Sequence, residues 1–142
     1  MSPAAAKPAG YSGTPLAKKL GFKAPMTVHT VDAPREYREW LHGLDPGVDF
    51  STKPYRPLAA AHVFVTRKAD LARYAAAMRK VLEPAGFVWI SWPKKSAKVP
   101  ADITEDTIRA VALPLGFVDV KVCAVSEVWS GLKLVIRKSE RP

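Results

Sequence analysis

Three predicted strands of this chain are followed by polar, charged and aromatic side chains that could bind a ligand. Parallel strands of an open α/β sheet end at one shared edge, and ligands bind beyond that edge. A Trp there can stack on an aromatic ring, and lysines can bind phosphates. The sequence therefore predicts a site for a small anionic or nucleotide-like ligand made of Asp32, Thr66, Arg67, Ser91, Trp92, Lys94 and Lys95.

Two further side chains, Tyr11 and Ser12, lie in a glycine-flanked segment that could fold over the same edge. A plainer interpretation stays open for each group. Tyr11 and Ser12 could simply pack on the core, Trp92 could cover the sheet, and the lysines could solvate a loop.

The chain carries no recognisable catalytic set, so we predict no catalytic residue and no metal site. His29, His42 and His62 lack a ligand spacing and suit a role as hydrogen-bonded core residues, although His29 and His62 fall in neighbouring predicted strands and could meet. Cys123 is mid-strand and is expected to be a small buried side chain. Ser, His and Asp are not arranged as a triad, and no P-loop is present.

The hydrophobic pattern alternates between strand and helix along the chain. Thr14 is expected to cap a short first helix, Thr66 to cap the third, and Thr104 the fourth. Turns are predicted at 83–86 and at 130–131. The predicted strands are 26–31, 48–51, 60–66, 87–92, 117–125 and 132–137, and the predicted helices are 16–20, 36–44, 67–82 and 104–116.

This alternation predicts an α/β fold: a single open, mostly parallel sheet flanked by helices and ending in an antiparallel β-hairpin. The length of 142 residues suits one domain, expected over 14–142 after a flexible segment at 1–13. A single cysteine and the absence of a long apolar run indicate a cytoplasmic protein without a membrane span. Dimerisation through the short strand at 48–51 stays open.

The net charge of +9, from 22 basic and 13 acidic residues, makes contact with polyanions a reasonable expectation. The basic residues are spread along the chain rather than gathered in a recognisable nucleic-acid-binding motif. Nucleic-acid binding and simple solubility both remain compatible with this charge.

The stretch Arg79–Pro93, with its Leu-Glu-Pro-Ala-Gly turn, resembles the helix, turn and fifth strand of class I S-adenosylmethionine-dependent methyltransferases. Ala85 stands where that family has the first Gly of its Pro-Gly-Gly turn. The tail, with Gly116-Phe117 and a final hairpin, looks similar too. More narrowly, segments such as 10–20, 92–95, 104–106, 119–125 and 129–134 resemble short bacterial proteins without an assigned function. The resemblance implies a Rossmann-like, methyltransferase-like fold in truncated form.

Two departures from that family argue against methyl transfer. The family places a Gly-rich loop after its first strand, whereas the segment 31–36 here lacks glycine and Pro34 lacks a backbone N–H. An acidic residue should end the second strand, but Asp49 lies within it, and a strand–helix unit is missing at 52–59. We therefore expect a domain that binds a small ligand or a protein partner without transferring methyl groups. A minimal S-adenosylmethionine-dependent enzyme and a basic nucleic-acid-associated protein are the alternatives.

Overall fold

Residues 14–142 are described by the computed structural model, and they build one six-stranded sheet. Tyr11 and Ser12, with the rest of the segment predicted to be flexible, lie outside the described residues. The strands are β1 Met26–Val31, β2 Val48–Ser51, β3 Leu58–Phe64, β4 Leu82–Pro93, β5 Phe117–Ala124 and β6 Trp129–Ile136. The α-helices are α1 Leu16–Leu20, α2 Lys68–Val81 and α3 Glu105–Ala112.

The strand order β2-β1-β3-β4-β6-β5 confirms the predicted open sheet and its closing hairpin. The first four strands are parallel to one another, and β6 runs antiparallel to both β4 and β5. The connection between β2 and β3, residues 52–57, contains no helix, so β2 is left at the edge of the sheet. That short connection agrees with the missing strand–helix unit expected from the sequence.

Strands β3 and β4 bury both of their faces, which explains their nearly continuous apolar sequence. Ala61, Val63 and Ile90 point to one hydrophobic cluster, with α2 and α3 packed against it. Ala60, Phe64 and Trp89 point to a second cluster on the opposite face. We refer to these as the α2/α3 face and the α1 face. Alternate residues of a strand point to opposite sides of the sheet, so each of these strands contributes side chains to both clusters.

Helix α1 is held on its face by a single buried hydrogen bond in addition to apolar packing. The Trp89 indole Nε1 donates to the Leu20 carbonyl oxygen over 2.9 Å, and both residues are fully buried. Gly21 ends the helix with a left-handed backbone at φ +80°, as its sequence position predicts. The predicted Thr14 cap is wrong, because Pro15 is the N-cap and no side chain bonds the free N–H groups.

Three other predictions of local structure are also wrong. The segment 36–44 forms only a 3-10 turn, Tyr37–Trp40, instead of an α-helix. Residues 130–131 lie inside β6, and the hairpin turn falls at 125–128, where the Ser126 hydroxyl accepts from two backbone N–H groups. Residues 83–86 belong to β4, whose pairing with β3 shifts register there.

The start of α2 shows how a distant loop replaces a missing cap. Arg67, not Thr66, is the N-cap, and no side chain at that position bonds the helix. Instead the Asp102 carboxylate accepts a hydrogen bond from the Lys68 backbone N–H at 2.6 Å. The Asp102 N–H in turn donates to the Thr66 carbonyl. The loop at 94–104 is thereby fastened to the edge of the sheet where the parallel strands end.

Helix α3 has the predicted Thr104 cap in a reciprocal form, so replacing Thr104 should weaken the fold measurably. Thr104 accepts from the Thr107 N–H, and the Thr107 hydroxyl accepts from the Thr104 N–H. Loss of such a cap costs about 1 kcal/mol. We expect Thr104→Ala to lower the free energy of unfolding in urea by about that amount. Thr14→Ala, which removes no cap, should leave it unchanged, and equal losses in the two variants would contradict this account.

Candidate functional site

The candidate site lies at the edge where β1, β2, β3 and β4 all end. Along the chain, β2 is placed on one side of β1 and β3 on the other, so the winding of the sheet reverses between β1 and β3. Open α/β sheets bind ligands at such a switch point, beyond the carboxyl ends of the strands. Asp32 and Thr66 follow the two strands that flank this point.

Asp32 lies in an open cleft of about 390 Å³ and has an unusual backbone. Its φ of +55° is left-handed, a conformation that is costly for residues other than glycine. The cleft is lined by Thr30, Val31, Asp32, Ala33 and Thr52. Asp32 is exposed, so its carboxylate is open to solvent at this cleft.

A second hollow of about 220 Å³ adjoins this cleft, since both are lined by Thr30, Ala33 and Thr52. Arg35 and Arg38 line it, and the Arg38 guanidinium lies 4.5 Å from the centre of the Phe50 ring. We call the two hollows together the β1/β2 cleft. Its two arginines were not among the predicted site residues. Arg35 lies in the loop after β1, where the sequence already offered it, whereas Arg38 was assigned to a predicted helix that the structure replaces with a 3-10 turn.

Four other predicted residues of this edge fall in two separate, shallower hollows. Thr66 and Arg67 line one of about 250 Å³, and Lys94 and Lys95 line one of about 340 Å³. Asp102 lies in the lining of both. Its carboxylate is already bonded to the first turn of α2, and it offsets the positive charge around it. The predicted residues are thus brought to one edge but divided among several hollows.

Ser91 and Trp92 lie in the interior rather than on the surface. Ser91 is fully buried and its hydroxyl is 2.7 Å from the Nε2 atom of His62. Trp92 is 9% exposed and packs in the cluster on the α2/α3 face. A ligand at the edge cannot reach the Ser91 hydroxyl without displacing this packing, so we carry neither residue into the proposal below.

His62 is the centre of a buried polar network beneath the switch point. Its Nδ1 atom is 2.7 Å from the Tyr37 hydroxyl, and its Nε2 atom is bonded to Ser91. A neutral imidazole has one donor and one acceptor, so one of the two hydroxyls donates and the other accepts. Burial lowers the pKa of His62 to about 3, and burial raises the pKa of Tyr37. Both side chains are therefore neutral at physiological pH.

The remaining candidates have structural surroundings. His29 is buried, with Nδ1 3.1 Å from the Ser51 carbonyl, whereas His42 is exposed and is not a core residue. His29 and His62 do not meet, because they occupy successive register positions and opposite faces. Burial raises the pKa of the Cys123 thiol, and the charges of Lys121 and Lys19 lower it by a smaller amount. Within residues 14–142 no three potential metal ligands converge, and no helix there is long and apolar enough to span a membrane.

Comparison with solved structures identifies the fold. No protein-family model matches the chain, and no curated protein matches it in sequence. A type 11 methyltransferase candidate from Sulfolobus solfataricus superposes with a TM-score of 0.63 at 14% identity, over 89% of this chain and 92% of that one. An S-adenosylmethionine-dependent methyltransferase from Clostridium acetobutylicum gives 0.55 at 8% identity, over 85% and 87%. LepI in complex with S-adenosylmethionine gives 0.53 at 9% identity, and there the match spans 86% of this chain but only 39% of LepI.

The chain therefore has the Rossmann-like fold of class I methyltransferases, as its resemblance implied. At these identities the comparison concerns the fold alone. The binding site must be argued from the residues of the β1/β2 cleft.

Proposed function

We propose that this protein is a methyltransferase-like domain that binds a small nucleotide-like ligand in the β1/β2 cleft and does not transfer methyl groups. One observation carries the proposal, namely the backbone of the loop after β1. Asp32 is left-handed, Pro34 has no N–H to offer, and a 3-10 turn follows in place of a full helix. A Gly-rich loop and a helix N-terminus, the usual means of cradling a dinucleotide-type cofactor, are both replaced.

The side chains of the cleft suit a ligand with two kinds of polar group. The Asp32 carboxylate can accept hydrogen bonds from hydroxyl or amino groups. Arg35 and Arg38, in the adjoining hollow, can bind a phosphate or carboxylate through two parallel hydrogen bonds. A nucleoside carrying an anionic group provides both kinds of partner. The cleft is open, so such a ligand is expected to bind with part of its surface in water.

A thermal-shift series with adenosine monophosphate, adenosine triphosphate, S-adenosylmethionine and S-adenosylhomocysteine tests the proposal. A ligand that binds only the folded state at a hundred times its Kd stabilises that state by about 2.7 kcal/mol. We expect a clear rise in melting temperature with at least one of these compounds at millimolar concentration. No rise with any of them would contradict the proposal.

Replacing Asp32 should separate ligand binding from folding. Asp32→Gly relieves the left-handed backbone, so the free energy of unfolding should stay the same or rise by up to about 1 kcal/mol. It also removes hydrogen bonds to a charged group, worth about 1.5–3 kcal/mol, so affinity in isothermal titration calorimetry should fall about 10- to 100-fold. Lys98→Gly is the matched control, because Lys98 has φ +56° but lies outside the β1/β2 cleft. An unchanged affinity in Asp32→Gly would show that the ligand binds at another place on the protein.

A minimal S-adenosylmethionine-dependent methyltransferase is the second candidate. It is favoured by the size of the Sulfolobus protein, since the match spans 92% of that equally small chain. Transfer of a labelled methyl group from S-adenosylmethionine to a substrate in an extract of small molecules and RNA distinguishes the two candidates. Binding of S-adenosylhomocysteine together with transfer supports the enzyme, and binding without transfer supports the proposal above.

A further inference from the structure

Strand β5 changes the direction of its side chains at one irregularity. Phe117 and Asp119 point to the α2/α3 face, where Asp119 bonds Arg109 of α3 at 3.0 Å. Regular alternation would send Lys121 to that same face. The pairing with β6 shifts between Asp119 and Lys121, so Lys121 lies on the α1 face, with its Nζ atom 3.2 Å from the Lys19 carbonyl. Such bulges commonly serve to redirect a side chain.

The redirected Lys121 meets another lysine. It stands directly across from Lys133 on β6, whose Nζ atom lies 4.5 Å from the centre of the Phe87 ring. Burial and the nearby Lys121 together lower the pKa of Lys133. In the described part of the chain neither Lys121 nor Lys133 forms an ion pair with a carboxylate, because every acidic partner of an ion pair there is bonded to an arginine. Like charges directly opposite each other destabilise a sheet.

We propose that Lys121 and Lys133, the lysine cluster, bind the phosphate backbone of a single-stranded nucleic acid. The arrangement costs stability in the free protein, and an anion placed over it removes that cost. The cluster lies on the α1 face of β5 and β6, away from the β1/β2 cleft, and does not depend on the function proposed for that cleft.

Nucleic acid fits this surface better than an anionic membrane does. Membrane binding by a folded surface needs exposed apolar side chains beside the cations. Among the described residues, the exposed large apolar side chains are Val99, Leu113, Val120 and Val122, and Val120 lies in the bulge beside Lys121. Val122 pairs with Leu132 of the α2/α3 cluster and Leu113 follows α3, so both lie on the other face. Val120 by itself is much less than the apolar face that membrane binding needs. Single-strand binding surfaces combine cations that follow the phosphate backbone with aromatic rings, and here the Phe87 ring lies beneath Lys133.

The test is the fluorescence anisotropy of a labelled 20-nucleotide RNA titrated with the full chain at several salt concentrations. Each phosphate contact on a single strand contributes about −0.7 to the slope of log K against log salt. We expect the two lysines to give a slope of about −1.4 for the wild type. Lys121→Gln combined with Lys133→Gln should reduce it by about 1.4, and should weaken binding about 25-fold at 0.1 M salt. The double variant should keep a cooperative thermal transition, which a disrupted fold would not show.

Lys80→Gln combined with Lys138→Gln is the control, since it removes the same charge from exposed positions near the far end of α2. It should leave the slope nearly unchanged. An equal loss in the control would show that only net charge matters and would overturn the proposal. Wild-type affinity in the Lys121 and Lys133 double variant would overturn it too. So would binding to phosphatidylserine vesicles through these lysines with no binding to the RNA.

Discussion

Lowering the pH from 7 to 5 is expected to reduce the free energy of unfolding by about 2 kcal/mol through His62 alone. The pKa of His62 is about 3 in the folded protein because the ring is fully buried, whereas an unfolded chain has a histidine pKa of about 6.5. Between these two values the unfolded state takes up a proton that the folded state does not. The contribution of His62 to the free energy of unfolding is therefore fully present above pH 6.5 and is lost as the pH falls towards 3.

Urea unfolding at pH 7 and pH 5 measures this effect, and His62→Gln identifies its source. The Gln amide can still donate to one hydroxyl and accept from the other, but it does not titrate. We expect His62→Gln to be less stable at pH 7 and to lose about 2 kcal/mol less than the wild type on going to pH 5. His42→Gln, at an exposed position, should keep the wild-type profile. Parallel profiles for the wild type and His62→Gln would show that the buried ring is not responsible.

Truncating Trp89 should produce the largest loss of stability among single substitutions considered for this chain. Its side chain is fully buried on the α1 face. Trp89→Ala removes that packing and leaves a cavity, which typically costs about 3–5 kcal/mol. Trp89→Phe keeps most of the volume but leaves the Leu20 carbonyl without its partner, which costs about 1–3 kcal/mol. Urea unfolding followed by far-ultraviolet circular dichroism measures both losses.

The two Trp89 variants should differ in which backbone amides exchange their hydrogens faster. Since the indole bond fastens α1 to the sheet, Trp89→Phe should speed hydrogen exchange of the α1 amides at 18–22 more than that of the β3 and β4 amides. Trp40→Phe is the control, because the Trp40 ring is half-buried among Tyr37 and Phe64 and its indole forms no hydrogen bond in the described structure. A uniform increase in exchange in Trp89→Phe would show that α1 is held by packing alone.

The fold was predictable because each of its strands carries a local signal. Apolar runs at β3 and β4 and the β-branched run at β1 were enough to place the parallel core. The prediction of a helix at 36–44 failed because the apolar stripe of Tyr37, Trp40, Leu41 and Leu44 fits a helix, whereas the contacts that this segment makes do not require one. Tyr37 reaches down to His62, and the chain leaves helical geometry at Leu41, with φ −100° and ψ 50°. Tertiary contacts overrode the local pattern there.

The position of Gly131 shows a second kind of limit. Gly at a turn is the usual expectation, yet this one lies within β6 because Trp89 of the neighbouring strand needs its space. A Cβ atom there would lie 3.1 Å from the Trp89 ring and 3.1 Å from Val125. The strand alternation that buries Trp89 also sends Ser91 inward, so Ser91 could have been removed from the candidate site by counting along β4. Arg38 could be recognised only once the turn that carries it was known, whereas Arg35 follows Pro34 in the loop after β1 and could have been named from the sequence.

The place of β6 in the sheet constrains the order in which the molecule assembles. β6 follows β5 in the chain but lies between β4 and β5, so β5 has no partner in the sheet until β6 is in place. The two strands are therefore expected to form their hairpin first and to dock on β4 as a unit, since a local hairpin closes faster than a distant strand pair. Until that docking, β4 presents an apolar strand edge that is open to neighbouring molecules, so we expect aggregation during refolding to begin at this edge.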